Sequence, residues 1–108
     1  QAINNKGLAY FEQDNLDLSI EFFKKAISIE NNAESILALA SCLSIKDIDL
    51  AISLTKKALM KDPNYVDYKY RKEQLWGEKL QNSTENLLKD PELKYEILLA
   101  KSKIDNPS

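Results

Sequence analysis

The sequence has no histidine, one cysteine, two glycines and three prolines among its 108 residues. Without histidine, a histidine-based triad, an imidazole base and a histidine metal site are excluded. The lone Cys42 cannot close a disulfide within the chain. Its neighbours Leu39, Ala40 and Leu43 predict a small buried side chain rather than a reactive thiol. No glycine-rich phosphate loop is present, so we expect neither an enzyme nor a cofactor or metal.

Long apolar runs and a strong net charge are also missing. No run approaches the roughly 18 residues needed to cross a bilayer, and no signal-peptide pattern opens the chain. The formal net charge of −2 argues against nucleic acid as a partner. We therefore expect no direct membrane insertion in this segment, and a location in the cytoplasm or at the cytosolic side of a membrane. Because the chain begins at Gln1, excision from a longer or membrane-anchored protein stays open.

What the sequence does contain is an internal repeat. The segment Asp17–Ile20 recurs as Asp49–Ile52, and Lys24–Ile27 recurs as Lys56–Leu59, at an offset of 32 residues. Similarity at a fixed period of about 20–50 residues is typical of solenoids, in which each unit buries its apolar face against its neighbours. A chain of this kind offers a surface to a partner and seldom performs chemistry.

Apolar residues spaced three and four apart between the few glycines and prolines predict amphipathic helices. The first helix ends at Asp14-Asn15, and Asn15 is the N-cap of a second helix that runs to about Glu30. A third helix begins near Ala33. Asp47 caps a fourth, which Asp62-Pro63 stops. Because the connections are short, successive helices must lie antiparallel, and the predicted fold class is all-α.

Residues 1–65 resemble two tetratricopeptide repeats, each a helix-turn-helix unit of about 34 residues. The signature of that family places small residues where helices cross and larger ones beside them. The first unit supplies Gly7, Tyr10, Ser19, Phe23 and Ala26, and the second supplies Ala40, Leu43, Ala51, Thr55, Ala58 and Pro63. Small side chains let the backbones approach while larger ones fill the adjacent gaps. The resemblance implies a TPR-like α-solenoid of antiparallel helix pairs.

Residues 66–104 are predicted to be a degenerate third repeat with capping helices, followed by a frayed tail at residues 105–108. The segment from Val66 to Gly77 matches the first helix of a third unit, and the leucines that follow suggest a long helix bent near Gly77. Asp90-Pro91 is a strong signal that a last helix starts. We expect these helices to form a lid over the second repeat, since the end of a solenoid must be closed.

The block Tyr70–Gly77, with Asn82–Thr84 and Leu87-Leu88, also resembles the C-terminal part of tetratricopeptide proteins from cyanobacteria and chloroplasts. That resemblance implies assembly factors for photosynthetic complexes, whose repeats hold client subunits during construction. It would make Trp76 a family marker, although a lone tryptophan on an apolar stripe is more often a core residue.

The family resemblance further implies a concave groove, lined by the first helix of each unit, that holds a peptide segment of a client protein. The predicted groove residues are those of the first helices that packing does not use: Asn4, Asn5, Leu8, Phe11, Leu37, Ala38, Ser41, Ser44, Tyr70, Arg71 and Gln74. Arg71 is expected to be the one anion-binding fork. A clamp for C-terminal carboxylates is disfavoured, because Asn4, Leu8 and Ala38 replace its expected lysine and asparagines.

Two functions stay open from the sequence. The first is an adaptor or assembly factor that binds a peptide of its client in the groove. The second is a structural, self-associating module within a larger protein or a homodimer, since two and a fraction repeats fall below the roughly three usually needed for stability.

Overall fold

The computed structural model describes residues 1–106, and in that range the chain is helical with no strand. The helices are α1 (Ala2–Glu12), α2 (Leu16–Ile29), α3 (Ala33–Leu43), α4 (Ile48–Lys61), α5 (Tyr68–Glu73), α6 (Glu78–Leu87) and α7 (Lys94–Asp105). Two 3-10 turns, Pro63–Val66 and Pro91–Leu93, precede α5 and α7. The prediction of an all-α helical-repeat fold is confirmed. Within the same range, no helix has both the length and the apolar character that crossing a bilayer requires.

Side-chain caps set the starts of α2, α3 and α4. The side-chain oxygens of Asn15, Asn32 and Asp47 each accept a hydrogen bond from the backbone amide three residues later, at 3.3, 2.8 and 3.1 Å. Each such cap satisfies an amide that has no partner inside the helix, and contributes about 1 kcal/mol. The predicted N-caps at Asn15 and Asp47 are therefore confirmed.

Two helical hairpins, α1 with α2 and α3 with α4, form the body of the fold. The small residues predicted at the crossings are buried: Gly7, Ser19, Ala26, Ala40, Ala51 and Ala58. In the first hairpin the Oγ of Ser19 donates to the carbonyl oxygen of Gly7 at 2.9 Å. The ring of Phe23 is so close that a Cβ on Gly7 would lie 2.6 Å from it. Glycine at this position therefore permits the close approach of α1 and α2.

The two hairpins are joined where α2 packs against α3. At that junction the Oγ of Ser19 lies 3.7 Å from the Sγ of Cys42. Burial raises the pKa of the Cys42 thiol to about 12. The predicted burial of Cys42 is confirmed. A thiol that stays protonated at neutral pH is a poor nucleophile, so a structural role is favoured.

The third unit departs from the predicted long helix. The chain leaves α5 at Gln74, Leu75 adopts the left-handed conformation with φ 70°, and α6 starts only after Gly77. The amide of Trp76 bonds to the carbonyl of Arg71 at 3.1 Å, and the amide of Leu75 bonds to that of Lys72 at 3.0 Å. These two bonds form a Schellman cap. The predicted continuous helix bent at Gly77 is therefore wrong.

The C-terminal helices lie on different sides of the body. Helix α7 packs on α4 and on the turn Pro63–Val66, as the predicted lid would, whereas α6 packs against α3 and α1. Helix α7 ends at Asp105, which is also the first residue of the predicted frayed tail at residues 105–108. Residues 107–108 of that tail lie outside the described residues.

Candidate partner-binding site

Helix α6 lies along the side of the body that α1 and α3 form, which is the side that the family resemblance predicts to be concave. Its Leu80 is fully buried, and the Oγ1 of Thr84 lies 2.7 Å from the Oγ of Ser41 in α3. At the end of α1, the carboxylate of Glu12 accepts hydrogen bonds from the amides of Lys79 and Leu80 at 3.0 and 3.1 Å. Glu12 thus caps α6 from a distant part of the sequence, and the chain fills part of its own groove.

Most of the predicted groove residues are consequently buried. The buried ones are Asn4, Leu8, Leu37, Ala38, Ser41 and Arg71. Phe11, Ser44, Tyr70 and Gln74 are half-buried, and Asn5 is exposed. These residues therefore do not form one exposed surface.

Arg71, whose guanidinium was predicted to bind an anion in the groove, lies in the interior instead. Its Nε donates to the Oε1 of Gln81 at 2.7 Å, and its Nη1 donates to the carbonyl oxygen of Tyr65 at 2.8 Å. Its Nη2 forms an ion pair with the carboxylate of Glu85. Burial lowers the pKa of the guanidinium, and the hydrogen bond to Glu85 opposes that change. Arg71 therefore connects α5 to α6 through buried hydrogen bonds, and its charge is not accessible to a partner.

Near the N-terminal ends of α1 and α3 the groove stays open. A cavity of about 480 Å³ lies there, which we call the open pocket. The residues that matter for its chemistry are Asn4, Glu30, Glu34, Lys61, Asp62 and Tyr65. They come from α1, from the end of α2, from the start of α3, and from the end of α4 and the turn after it, with none from α6. The open pocket is therefore the part of the concave side that α6 leaves uncovered.

Asn4 is a buried amide at the floor of the open pocket. Its Oδ1 accepts from the Oγ of Ser35 at 2.7 Å, and the residue is only 2% exposed. Its Nδ2 faces the carboxylate of Glu34 and opposes the rise in the pKa of that group, although the contact falls short of good hydrogen-bond geometry. Asn4 therefore joins α1 to the start of α3.

Glu34 brings a partly desolvated carboxylate to the same place. Its Oε2 accepts a hydrogen bond from the Nε1 of Trp76 at 2.9 Å. Burial raises the pKa of Glu34, and the hydrogen bond from Trp76 opposes the rise. Sequence reasoning missed Glu34 as a site residue, because an acid in the first turn of a helix is common and favourable to the helix dipole.

Aromatic rings support the wall of the open pocket behind these polar groups. The ring of Tyr65 lies 6.2 Å from that of Trp76 and 5.0 Å, edge on, from that of Tyr70. Trp76 is nearly fully buried, which confirms it as a core residue. The rings hold Glu34 in place, and the polar atoms rather than the rings define what this pocket can bind.

The hairpins and the concave side define the class: an all-α helical-repeat protein with a TPR-like fold. The family profile of the tetratricopeptide repeat matches residues 1–33, which span α1, α2 and the first residue of α3. None of the curated proteins compared with the chain matches it. The match supports one tetratricopeptide repeat in the first hairpin. Such repeats generally mediate protein–protein interaction and are typically non-catalytic.

Proposed function

We propose that the chain is an interaction module that binds a short segment of a client protein in the open pocket. The observation that carries this proposal is the open pocket itself, a cavity with a polar wall to which α6 contributes no residue. Amide and carboxylate groups on that wall, such as those of Asn31 and Glu34, can pair with the backbone of a bound segment. The volume of about 480 Å³ lies within the range of ligand pockets, so a few residues of a client fit.

This proposal narrows the site that the sequence predicted. Of the predicted groove residues, Asn4 lines the open pocket, whereas Leu8 and Ser41 lie beneath α6 or beside it. The role that we propose is that of an adaptor or assembly factor in the cytoplasm or at the cytosolic side of a membrane. The resemblance of Tyr70–Gly77 to tetratricopeptide proteins of photosynthetic-complex assembly supports that role.

Selection of a random heptapeptide display library on the intact chain tests the proposed site. We expect selected peptides to bind in fluorescence polarisation, and Asn31→Trp to weaken them at least tenfold, because Asn31 lines the open pocket and a large ring there would fill it. Asn86→Trp is the matched control, since Asn86 is also exposed but lies on α6. Equal weakening by both variants, or by neither, would contradict the open pocket as the binding site.

Self-association is a second candidate function, and an apolar face on α7 favours it. Tyr95 is 70% exposed and Leu98 is 59% exposed, although both are large apolar residues. A second copy of this chain is the occupant that we propose, because the chain has fewer than the roughly three repeats that such folds usually need for stability, and a copy packed on α7 would extend the array.

Light scattering over a dilution series tests self-association. We expect the wild-type chain to approach twice its mass of 12.3 kDa as its concentration rises, and Leu98→Glu to stay at 12.3 kDa. Ile29→Glu is the control, because Ile29 is an equally exposed apolar residue on α2. A wild-type chain that is monomeric throughout, or a control that dissociates as well, would rule out the α7 face.

A further inference from the structure

We infer that one side of the first hairpin is a second docking surface, which takes an amphipathic helix of a partner protein with acidic residues beside its apolar stripe. This surface, which we call the outer face, consists of neighbouring residues of α1 and α2: Ile3, Lys6, Tyr10, Phe22, Lys25 and Ile29. None of them lines the open pocket, so the inference goes beyond the proposed function.

Two stacked aromatic rings lie at the centre of the outer face. The ring centroids of Tyr10 and Phe22 are 5.4 Å apart, and the ring planes differ by 19°. Both residues are half-buried, and neither belongs to the hydrophobic clusters of the core. Two helical turns after Phe22, Ile29 is 64% exposed. An apolar surface that the chain leaves uncovered in this way is typical of an interaction site.

The corresponding side of the second hairpin is buried. In the register that aligns Gly7 with Ala40, Lys6 corresponds to Leu39. Leu39 is 6% exposed and belongs to the main hydrophobic core, whereas Lys6 is exposed. The two repeats therefore present the same side of their first helix, covered in one case and open in the other.

A helix covers that side of the second hairpin. Leu39 lies one turn before Cys42 on α3, and the Sγ of Cys42 lies 3.7 Å from the Oγ of Ser19 in α2. Helix α2 packs against α3. The residue that corresponds to Cys42 in the first repeat is Ala9, which is exposed. The internal repeat thus predicts that the occupant of the outer face is also a helix.

Two lysines determine which kind of helix fits. The Nζ atoms of Lys6 and Lys25 lie 5.8 and 5.5 Å from the centroid of the Phe22 ring. The ion pairs within residues 1–106 involve neither lysine. A helix that covered the rings with apolar side chains alone would remove water from these ammonium groups without replacing it, which is unfavourable. Carboxylates beside the apolar stripe would pair with them instead.

Neither the outer face nor α7 of a second copy of this chain meets that requirement. Two outer faces in contact would bring the lysines of both copies together, and like charges in an interface are unfavourable. The exposed charges of α7 are mostly basic too, with Lys94, Lys101 and Lys103 against Asp105. An acidic helix of another protein is therefore the occupant that the charges favour.

Titration of the ¹⁵N-labelled intact chain with three peptides tests this inference. The acidic peptide is three copies of Glu-Leu-Glu-Ala-Leu-Leu-Ala, which as a helix carries its leucines between two rows of glutamates. The basic peptide has lysine for every glutamate, and the scrambled peptide keeps the acidic composition but spreads the leucines around the helix. We expect only the acidic amphipathic peptide to bind. It should shift the backbone amide signals of Lys6, Ala9 and Phe22 and leave that of Asn31, in the open pocket, unchanged.

Reversal of both charges, Lys6→Glu with Lys25→Glu, should weaken binding of the acidic peptide by about tenfold or more, because two attractions become repulsions. The matched control is Lys57→Glu with Lys101→Glu, which changes the net charge equally at two exposed lysines. Lys57 holds the place in the second repeat that Lys25 holds in the first. The control should bind the peptide within about twofold of the wild type, since distant exposed charges are screened by salt.

Absence of binding, or shifts at Asn31 with none at Lys6, Ala9 and Phe22, would refute the outer face as a docking surface. Equal binding of the basic or the scrambled peptide, or equal weakening by both double variants, would refute its selection of an acidic amphipathic helix. If the signals of Ala9 and Phe22 move with the concentration of the chain alone, a second copy is the occupant and the inference of a partner helix is wrong.

Discussion

Replacing Arg71 by methionine is expected to lower the free energy of unfolding by about 3 kcal/mol. Methionine keeps an unbranched side chain in the space but removes every donor. The side-chain oxygen of Gln81 and the carbonyl oxygen of Tyr65 would then stay buried without a partner. Glu85 adds less to the cost, because its side chain is 46% exposed and recovers contact with water. Urea unfolding followed by circular dichroism measures the change as a lower midpoint at constant slope.

Lys72→Met is the control for that experiment. Lys72 is the next residue of α5 and is exposed, so the same loss of a cation there should change the stability by less than about 0.5 kcal/mol. Equal stability of the two variants would mean that the buried hydrogen bonds of Arg71 contribute nothing. The result also bears on binding assays, because a loss of client binding in an Arg71 variant would report on the fold rather than on a contact with the client.

The first four helices could be predicted because their signals are local. Asn15 and Asp47 cap helices whatever lies around them, and Pro63 stops one because its ring restricts the preceding residue. The small buried residues where the helices of each hairpin cross could also be predicted, because they recur in the sequence. A small residue that recurs at the same place in two copies, as Ala26 and Ala58 do, marks a contact that every hairpin of this kind needs.

The path of the chain after α5 could not be predicted in the same way. The bend was predicted near Gly77 because glycine is unfavourable inside a helix, yet the helix ends earlier, in a left-handed turn at Leu75. The reason is tertiary. The turn at Leu75 carries Trp76 into the core, where its indole donates to Glu34, a residue 42 positions away. Local propensity contains no information about such a contact.

The candidate site shows the same division between local and tertiary information. Helical period predicts which face of α1 and α3 a hairpin partner leaves free, and on that basis Asn4 and Ser41 were predicted to line the groove. Period does not reveal whether another segment of the chain covers the face, as α6 does where its Thr84 meets Ser41. The spacing of the buried residues Leu80, Thr84 and Leu87 predicts that one face of α6 packs, but it does not show where that face docks.

Replacing Gly7 by valine is the second change that we expect to destabilise the fold strongly, by about 3 kcal/mol. Two effects oppose each other here. Valine is more favourable than glycine inside a helix, by less than about 1 kcal/mol. Against this, the new Cβ would lie 2.6 Å from the buried ring of Phe23, and the added methyl groups need still more room. Phe23 is fully buried and has no free space to move into, so α1 and α2 must separate. Thermal and urea unfolding should both show the loss.

Ala9→Val controls for the poorer helix propensity of valine, because Ala9 lies on the exposed face of α1. It should cost no more than about 0.7 kcal/mol. A double-mutant cycle with Phe23→Leu then identifies the cause. Phe23→Leu alone is destabilising, because the smaller side chain leaves a cavity. In the Gly7→Val background the valine fills part of that cavity, so the double variant should lose less stability than the sum of the two single losses. Strict additivity would show that the close approach of Gly7 and Phe23 is not what makes glycine necessary between α1 and α2.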